Sequence, residues 1–140
     1  MSDLLPYQYV TLRCVPRVER EEFVNVGVVL FCQEADVLVS GHALCPERLL
    51  ALDPDLDLKA LRASLRQVEA VCRGEAGRTD LTRQGARFGW IAAPRSTVVQ
   101  PGSRHGGLTT DPVAELDRLL ARLVLPAPSN APPAAVSVET

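Results

Sequence analysis

Aromatic residues make up only 4% of this 140-residue chain, so Leu, Val and Ala must carry most of any core. Lysine is represented by Lys59 alone, and the positive charge is otherwise arginine. A guanidinium fork matches carboxylate and phosphate geometry better than an ammonium does, although a compositional bias of the genome accounts for the count as a whole. No window approaches the roughly 18 consecutive apolar residues that a membrane span requires. The N-terminus is broken by Asp3, Pro6 and Gln8 and does not resemble a signal peptide, so no secretory leader is expected. Cys14, Cys32, Cys45 and Cys72 show neither C-x-x-C spacing nor the rhythm of a disulfide framework. Cys14 and Cys32 lie in apolar runs, where a thiol behaves as a small hydrophobe. A reduced, cytoplasmic compartment is expected. The chain also lacks a G-x-x-x-x-G-K-[ST] loop, a Rossmann glycine fingerprint and a G-x-S-x-G elbow, so no named reaction can be read from a motif.

What is present is the composition of a globular domain, with 46% hydrophobic and 23% charged residues. The length suits one domain with its own core. A net charge of -2 offers no global attraction to nucleic acid or anionic lipid.

Periodicity divides the chain into elements. Tyr7 to Val15 alternates, with Val10, Leu12 and Cys14 on one side and Tyr9, Thr11 and Arg13 on the other, which predicts a strand with one wet face. Pro16 ends it, and Arg17 to Glu22 is a charged connection. Phe23 to Cys32 is apolar and β-branched except at Asn25 and Gly27, as in a strand buried on both faces. A glycine within a strand marks a bulge or a close backbone approach. Gln33 to Asp36 supplies a hairpin turn, and Val37 to Ala43 a third strand.

Leu58, Leu61, Leu65, Val68 and Cys72 form one stripe of a helix over Asp57 to Arg73, capped by Asp57 and stopped by Gly74. A helical turn over Pro46 to Leu52 precedes it. Gly74 to Gly89 reads as a polar connection, and Trp90-Ile91 and Thr97 to Gln100 as short strands. Asp111 caps a last helix, with Pro112 at its first position and Val113, Leu116, Leu120 and Leu123 as its stripe. The expected fold is a single α+β domain over residues 1–125. Its antiparallel sheet, a three-stranded meander plus short later strands, is covered by two main helices in two layers. A Pro/Ala-rich disordered tail is expected over residues 126–140.

The segment from Ala93 to Gly107 gathers two arginines, a histidine and hydroxyls between prolines and glycines, which keep it a loop or short edge strand. Arg95, Ser96, Arg104 and His105 are the first candidate site, because a bound anion needs fork donors, hydroxyls and close backbone amides. From Arg73 to Arg104 there are six arginines against Glu75 and Asp80. The plainer reading pairs Arg95 and Arg104 with carboxylates of the first half, such as Glu21 or Glu22.

Glu21, Glu22 and Asn25 are the second candidate, since they precede the buried strand and emerge near a sheet end. Paired carboxylates serve as acid and base or hold Mg²⁺, but such a pair in a connection is more often solvated. A buried amide such as that of Asn25 needs partners, and satisfying backbone is its commoner use. His42-x-x-Cys45 is half of a metal site, which Cys72 and His105 would have to complete. No metal and no cofactor are expected.

Several of these segments, in order, resemble one bacterial family. Tyr7-Gln8-Tyr9, Glu22 to Val29, Phe88-Gly89-Trp90, Ala93 to Pro101 and Gly107 to Pro112 carry the likeness. The family is known as domain of unknown function 3037, and the resemblance runs from about Tyr7 to Val124. It brings no catalytic residues. It implies a small partner or regulator encoded beside a kinase-like protein of the persistence-toxin type.

The reading that follows is a non-enzymatic binding or accessory module. It recognises an acidic partner surface or an anionic ligand through Arg95, Ser96, Arg104 and His105, with Glu22 and Asn25. The alternative is a small enzyme acting on a phosphorylated or nucleotide substrate. There His105 is the acid or base, Arg95 and Arg104 the clamp, and Glu22 a metal or proton partner. Weak nucleic-acid binding ranks last, given the acidic total and the lack of aromatics for stacking. No membrane partner is expected.

Overall fold

The computed structural model describes residues 3–126. The tail expected over residues 126–140 lies outside them save for its first residue. Five strands and four α-helices follow in the order β1 (Leu5–Cys14), β2 (Val24–Cys32), β3 (Val37–His42), α1 (Pro46–Leu52), α2 (Leu58–Arg73), α3 (Gln84–Ala92), β4 (Val99–Pro101), β5 (His105–Thr109) and α4 (Pro112–Leu123). The fold is α+β around one antiparallel sheet, as the periodicity implies. β1, β2 and β3 form the meander, and β4 and β5 share the other side of β1. The β2–β3 hairpin turns at Gln33 to Asp36, where Asp36 donates its amide to the Gln33 carbonyl and adopts φ 55°.

The strand pattern decides what covers the sheet. Val10, Leu12, Cys14 and Val29 pack against Leu49 of α1, Leu61 and Leu65 of α2, and Phe88 and Ile91 of α3. The alternate residues of β2, Val28, Leu30 and Cys32, join Tyr7 in packing against Leu116 and Leu119 of α4. The two main helices therefore lie on opposite faces, and the sheet is sandwiched. The expected two layers are three because β2, apolar on both faces, needs cover on both.

Capping follows the sequence closely. The Asp57 carboxylate accepts from the Ala60 amide at 3.0 Å, and α2 ends at Gly74 in the left-handed region, φ 74°. Asp111 caps α4 through the Ala114 amide at 3.2 Å, ahead of Pro112.

Two expectations about the middle of the chain are corrected. Trp90 and Ile91 are helical, not extended, and the connection from Gly74 stops at Gln84, where α3 begins. Gly85 and Gly89 lower helix propensity there, but burial of Phe88 and Ile91, one helical turn apart, overrides them. The later strand is also shorter than expected, Val99–Pro101, with Thr97 and Val98 outside it.

The ladder is irregular at one place on each side of β1. Leu12 is opposite Gly27 but Arg13 is opposite Asn25, so Val26 is the extra residue of a bulge, as the glycine anticipates. On the other side Tyr9 faces His105 and Leu12 faces Pro101, which leaves one surplus residue among 102–104.

Candidate functional site

The sequence-predicted residues fall in separate places. Arg104 immediately precedes β5 and His105 begins it, so their side chains leave opposite faces of the sheet. The His105 ring stacks on Tyr9, 5.2 Å between centroids, on the α4 side. The Arg104 guanidinium lies 5.1 Å from the Phe88 ring centre on the α3 side, with Nη1 donating to Gln8 Oε1 at 3.4 Å. The convergence that an acid–base histidine and an arginine clamp require is not formed by this pair.

Arg95 sits after α3. Its guanidinium is 4.5 Å from the centre of the Trp90 indole, and it donates to the Trp90 and Ala93 carbonyls, closing the open end of the helix. Partial burial lowers its pKa from the ordinary arginine value, yet a guanidinium keeps its charge in proteins. Arg78 approaches the same indole at 5.0 Å, while forked onto Asp80 with contacts of 2.9 and 2.7 Å. Beside Trp90 and Arg95 an open groove of about 250 Å³ runs between α2 and β4, floored by Val68 and Val99.

Neither Arg95 nor Arg104 makes an ion pair among the described residues, so the pairing with Glu21 or Glu22 does not occur. Glu22 is instead bound by Arg20 at 2.6 Å, and that bond together with the arginine's charge lowers its carboxyl pKa. Asn25 is on the α4 face, where its Nδ2 donates to the Leu123 carbonyl at 3.1 Å and fastens the end of α4. His42, Cys45, Cys72 and His105 do not converge, and no group of three or more candidate metal ligands occurs among the described residues.

Ser96 leads to a residue that sequence reasoning passed over. It lines a cleft of about 400 Å³ together with Arg13, Val15, Val18, Glu19, Glu21, Phe23 and Gln100. The Arg13 guanidinium stands 4.2 Å from the Phe23 ring centre, and its Nε is buried without an acceptor among the described residues. Gly102 is needed beneath it: a Cβ there would come within 2.5 Å of Thr11 Oγ1 and 3.2 Å of Arg13 Nε. In the sequence Arg13 is one more polar residue on a wet strand face. Nothing marks Phe23 as lying outside the strand, 45% exposed.

The geometry recurs. Arg13, Arg95 and Arg104 each lie over an aromatic ring and pair with no carboxylate among the described residues, whereas Arg17, Arg20, Arg73, Arg78 and Arg118 are ion-paired. A ring holds a cation by its quadrupole while leaving the N–H edges unspent, worth about 0.5–1 kcal/mol at exposed sites.

A family model described as "Protein of unknown function (DUF3037)" matches residues 9–124. The chain belongs to that family. None of the curated proteins and none of the solved structures compared with this DUF3037 chain matches it.

Proposed function

We propose that this DUF3037 protein is a non-enzymatic binding module that recognises negative charge on a partner protein. One observation carries the reading: Arg95 and Arg104 are propped on Trp90 and Phe88 with N–H groups left over and no carboxylate among the described residues to occupy them. Both rings belong to α3, so both guanidiniums are mounted on one packed element. Stacking restricts each side chain before binding, which lowers the entropy lost when an acidic group arrives. Arg83 at the start of the same helix adds exposed positive charge. Across the sheet, His105 serves as a stacked surface group, not as part of the grip.

The same reading extends to the setting. A kinase-like protein is the partner class that the family resemblance implies, and a reducing cytoplasm suits four free cysteines, three of them buried. No helix among the described residues is long and apolar enough to cross a membrane.

The test is calorimetric titration of the full chain with a poly-aspartate peptide, alongside affinity purification from the native host. Arg95→Ala with Arg104→Ala should weaken peptide binding by about tenfold or more, as loss of charge-assisted hydrogen bonds predicts. It should also remove the co-purifying partner, and added salt should weaken what remains. Undiminished binding by the double variant would overturn the reading.

A further inference from the structure

We infer that the cleft around Arg13 is a second, separate site, which takes a small zwitterion: an α-amino acid with an apolar side chain. The argument starts from the charges of the connection between β1 and β2. Its two cations are already engaged, Arg17 with Asp53 at 3.7 Å and Arg20 with Glu22 at 2.6 Å. Its two remaining carboxylates, Glu19 and Glu21, have no ion-pair partner among the described residues, and both line the cleft. Glu21 is held there by backbone in the left-handed region, φ 56°, where its amide closes the short 3-10 turn onto the Val18 carbonyl.

Arg13 faces this acidic wall without meeting it. It sits within 4.0 Å of no carboxylate among the described residues, its guanidinium carbon lies 4.2 Å from the Phe23 ring centre, and its buried Nε lacks an acceptor among them. Were the cleft a structural filler, opposite charges so close in sequence and space would be expected to close on one another. Instead Arg13, Glu19 and Glu21 share the lining of a cavity of about 400 Å³ with no ion pair between them, toward the lower end of the roughly 300–1,000 Å³ typical of small-molecule sites. A ligand bearing a carboxylate and an ammonium satisfies both walls at once. Carboxylate meets Arg13 with Ser96 beside it, and ammonium meets Glu19 and Glu21. The apolar side chain lies on Val18 and Phe23, which are 44% and 45% exposed.

The experiment is calorimetry on the full chain with three probes: L-phenylalanine, N-acetyl-L-phenylalanine and L-phenylalaninamide. The free amino acid should bind, and each blocked derivative should bind about tenfold more weakly, having lost one charged contact. Arg13→Gln should abolish binding of the free amino acid. Because that variant removes a packed side chain, Glu19→Gln with Glu21→Gln is the companion, both positions being exposed. This pair should erase the preference for the free amine over its acetylated form. Absence of binding by L-phenylalanine, L-leucine and L-valine would overturn the inference, and so would equal affinity for N-acetyl-L-phenylalanine. Arg95→Ala with Arg104→Ala should leave amino-acid binding unchanged, so this site and the acidic-peptide site succeed or fail separately.

Discussion

Replacing Tyr7 by Phe tests how the sheet is joined to α4. Tyr7 and Glu115 are 8% and 6% exposed, and the phenol donates to Glu115 Oε2 at 2.9 Å. Among the described residues the other oxygen has only Arg118 Nη1, 3.6 Å away on a side chain that is itself largely exposed. A hydrogen bond to an ionised acceptor contributes about 1.5–3 kcal/mol, and stranding its buried partner adds a desolvation cost. The ring is retained, so no cavity forms, and Tyr7→Phe should cost about 2–3 kcal/mol. In urea unfolding this lowers the midpoint at unchanged slope; in thermal unfolding it lowers Tm by roughly 6–12 °C. The control is a double-mutant cycle with Glu115→Leu, in which most of the cost of Tyr7→Phe should vanish. A cost below about 0.5 kcal/mol, or the same cost in the Glu115→Leu background, would refute the account.

Two further outcomes follow from the same core. Gly27→Ala should destabilise by about 2–3 kcal/mol in urea unfolding, because its Cβ would come within 2.8 Å of the Gly41 carbonyl, backbone that the β2–β3 ladder holds in place; a cost under about 0.5 kcal/mol would mean that the ladder yields there. Stability should also fall in base: burial raises the Cys14 and Cys72 thiols from 9.0 to about 11, and raises Tyr7 from 10.0 to about 12 with help from Glu115. The native state keeps these protons longer than the unfolded chain, so their contribution is whole below pH 9 and is lost as pH rises through the folded values. Urea midpoints that stay level from pH 8 to 11 would contradict this.

The elements that were legible are those whose local signals agree with their burial. α2 and α4 each carry a stripe and an acidic cap, α2 has a glycine stop besides, and each begins within a residue of its expected place. The meander was readable from alternation in β1 and the turn at Gln33 to Asp36. α3 was not, because Gly85 and Gly89 oppose a helix locally and only the sheet that receives Phe88 and Ile91 favours one. The number of layers stood in the sequence and was missed. A strand apolar at Val28, Val29 and Leu30 in succession demands cover above and below it, and one layer of helices supplies only one of these.

The arginines show a different limit. Charge and spacing drew attention to Arg95 and Arg104, and the aromatic rings that hold them could not be paired with them from sequence, since Phe88 is brought to Arg104 only by the fold. Arg13 was less visible still, because its distinction depends on the sheet's irregularities. The bulge at Val26 falls between Leu12 and Arg13, while the surplus residue among 102–104 falls farther along β1, between Tyr9 and Leu12. Bulges bend a strand, add twist and re-aim the side chains next to them. Arg13 keeps a regular partner, Gln100, on the β4 side, and the irregularity beside it is the one with β2, where Phe23, just before the strand, is outside the pairing and lies against the guanidinium. Gly102 removes the one Cβ that would fill the space beneath. A regular ladder would have left Arg13 an ordinary solvated residue. The cleft therefore depends on the bulge beside Arg13, and a chain in which that bulge was repaired should keep the fold and lose the cleft.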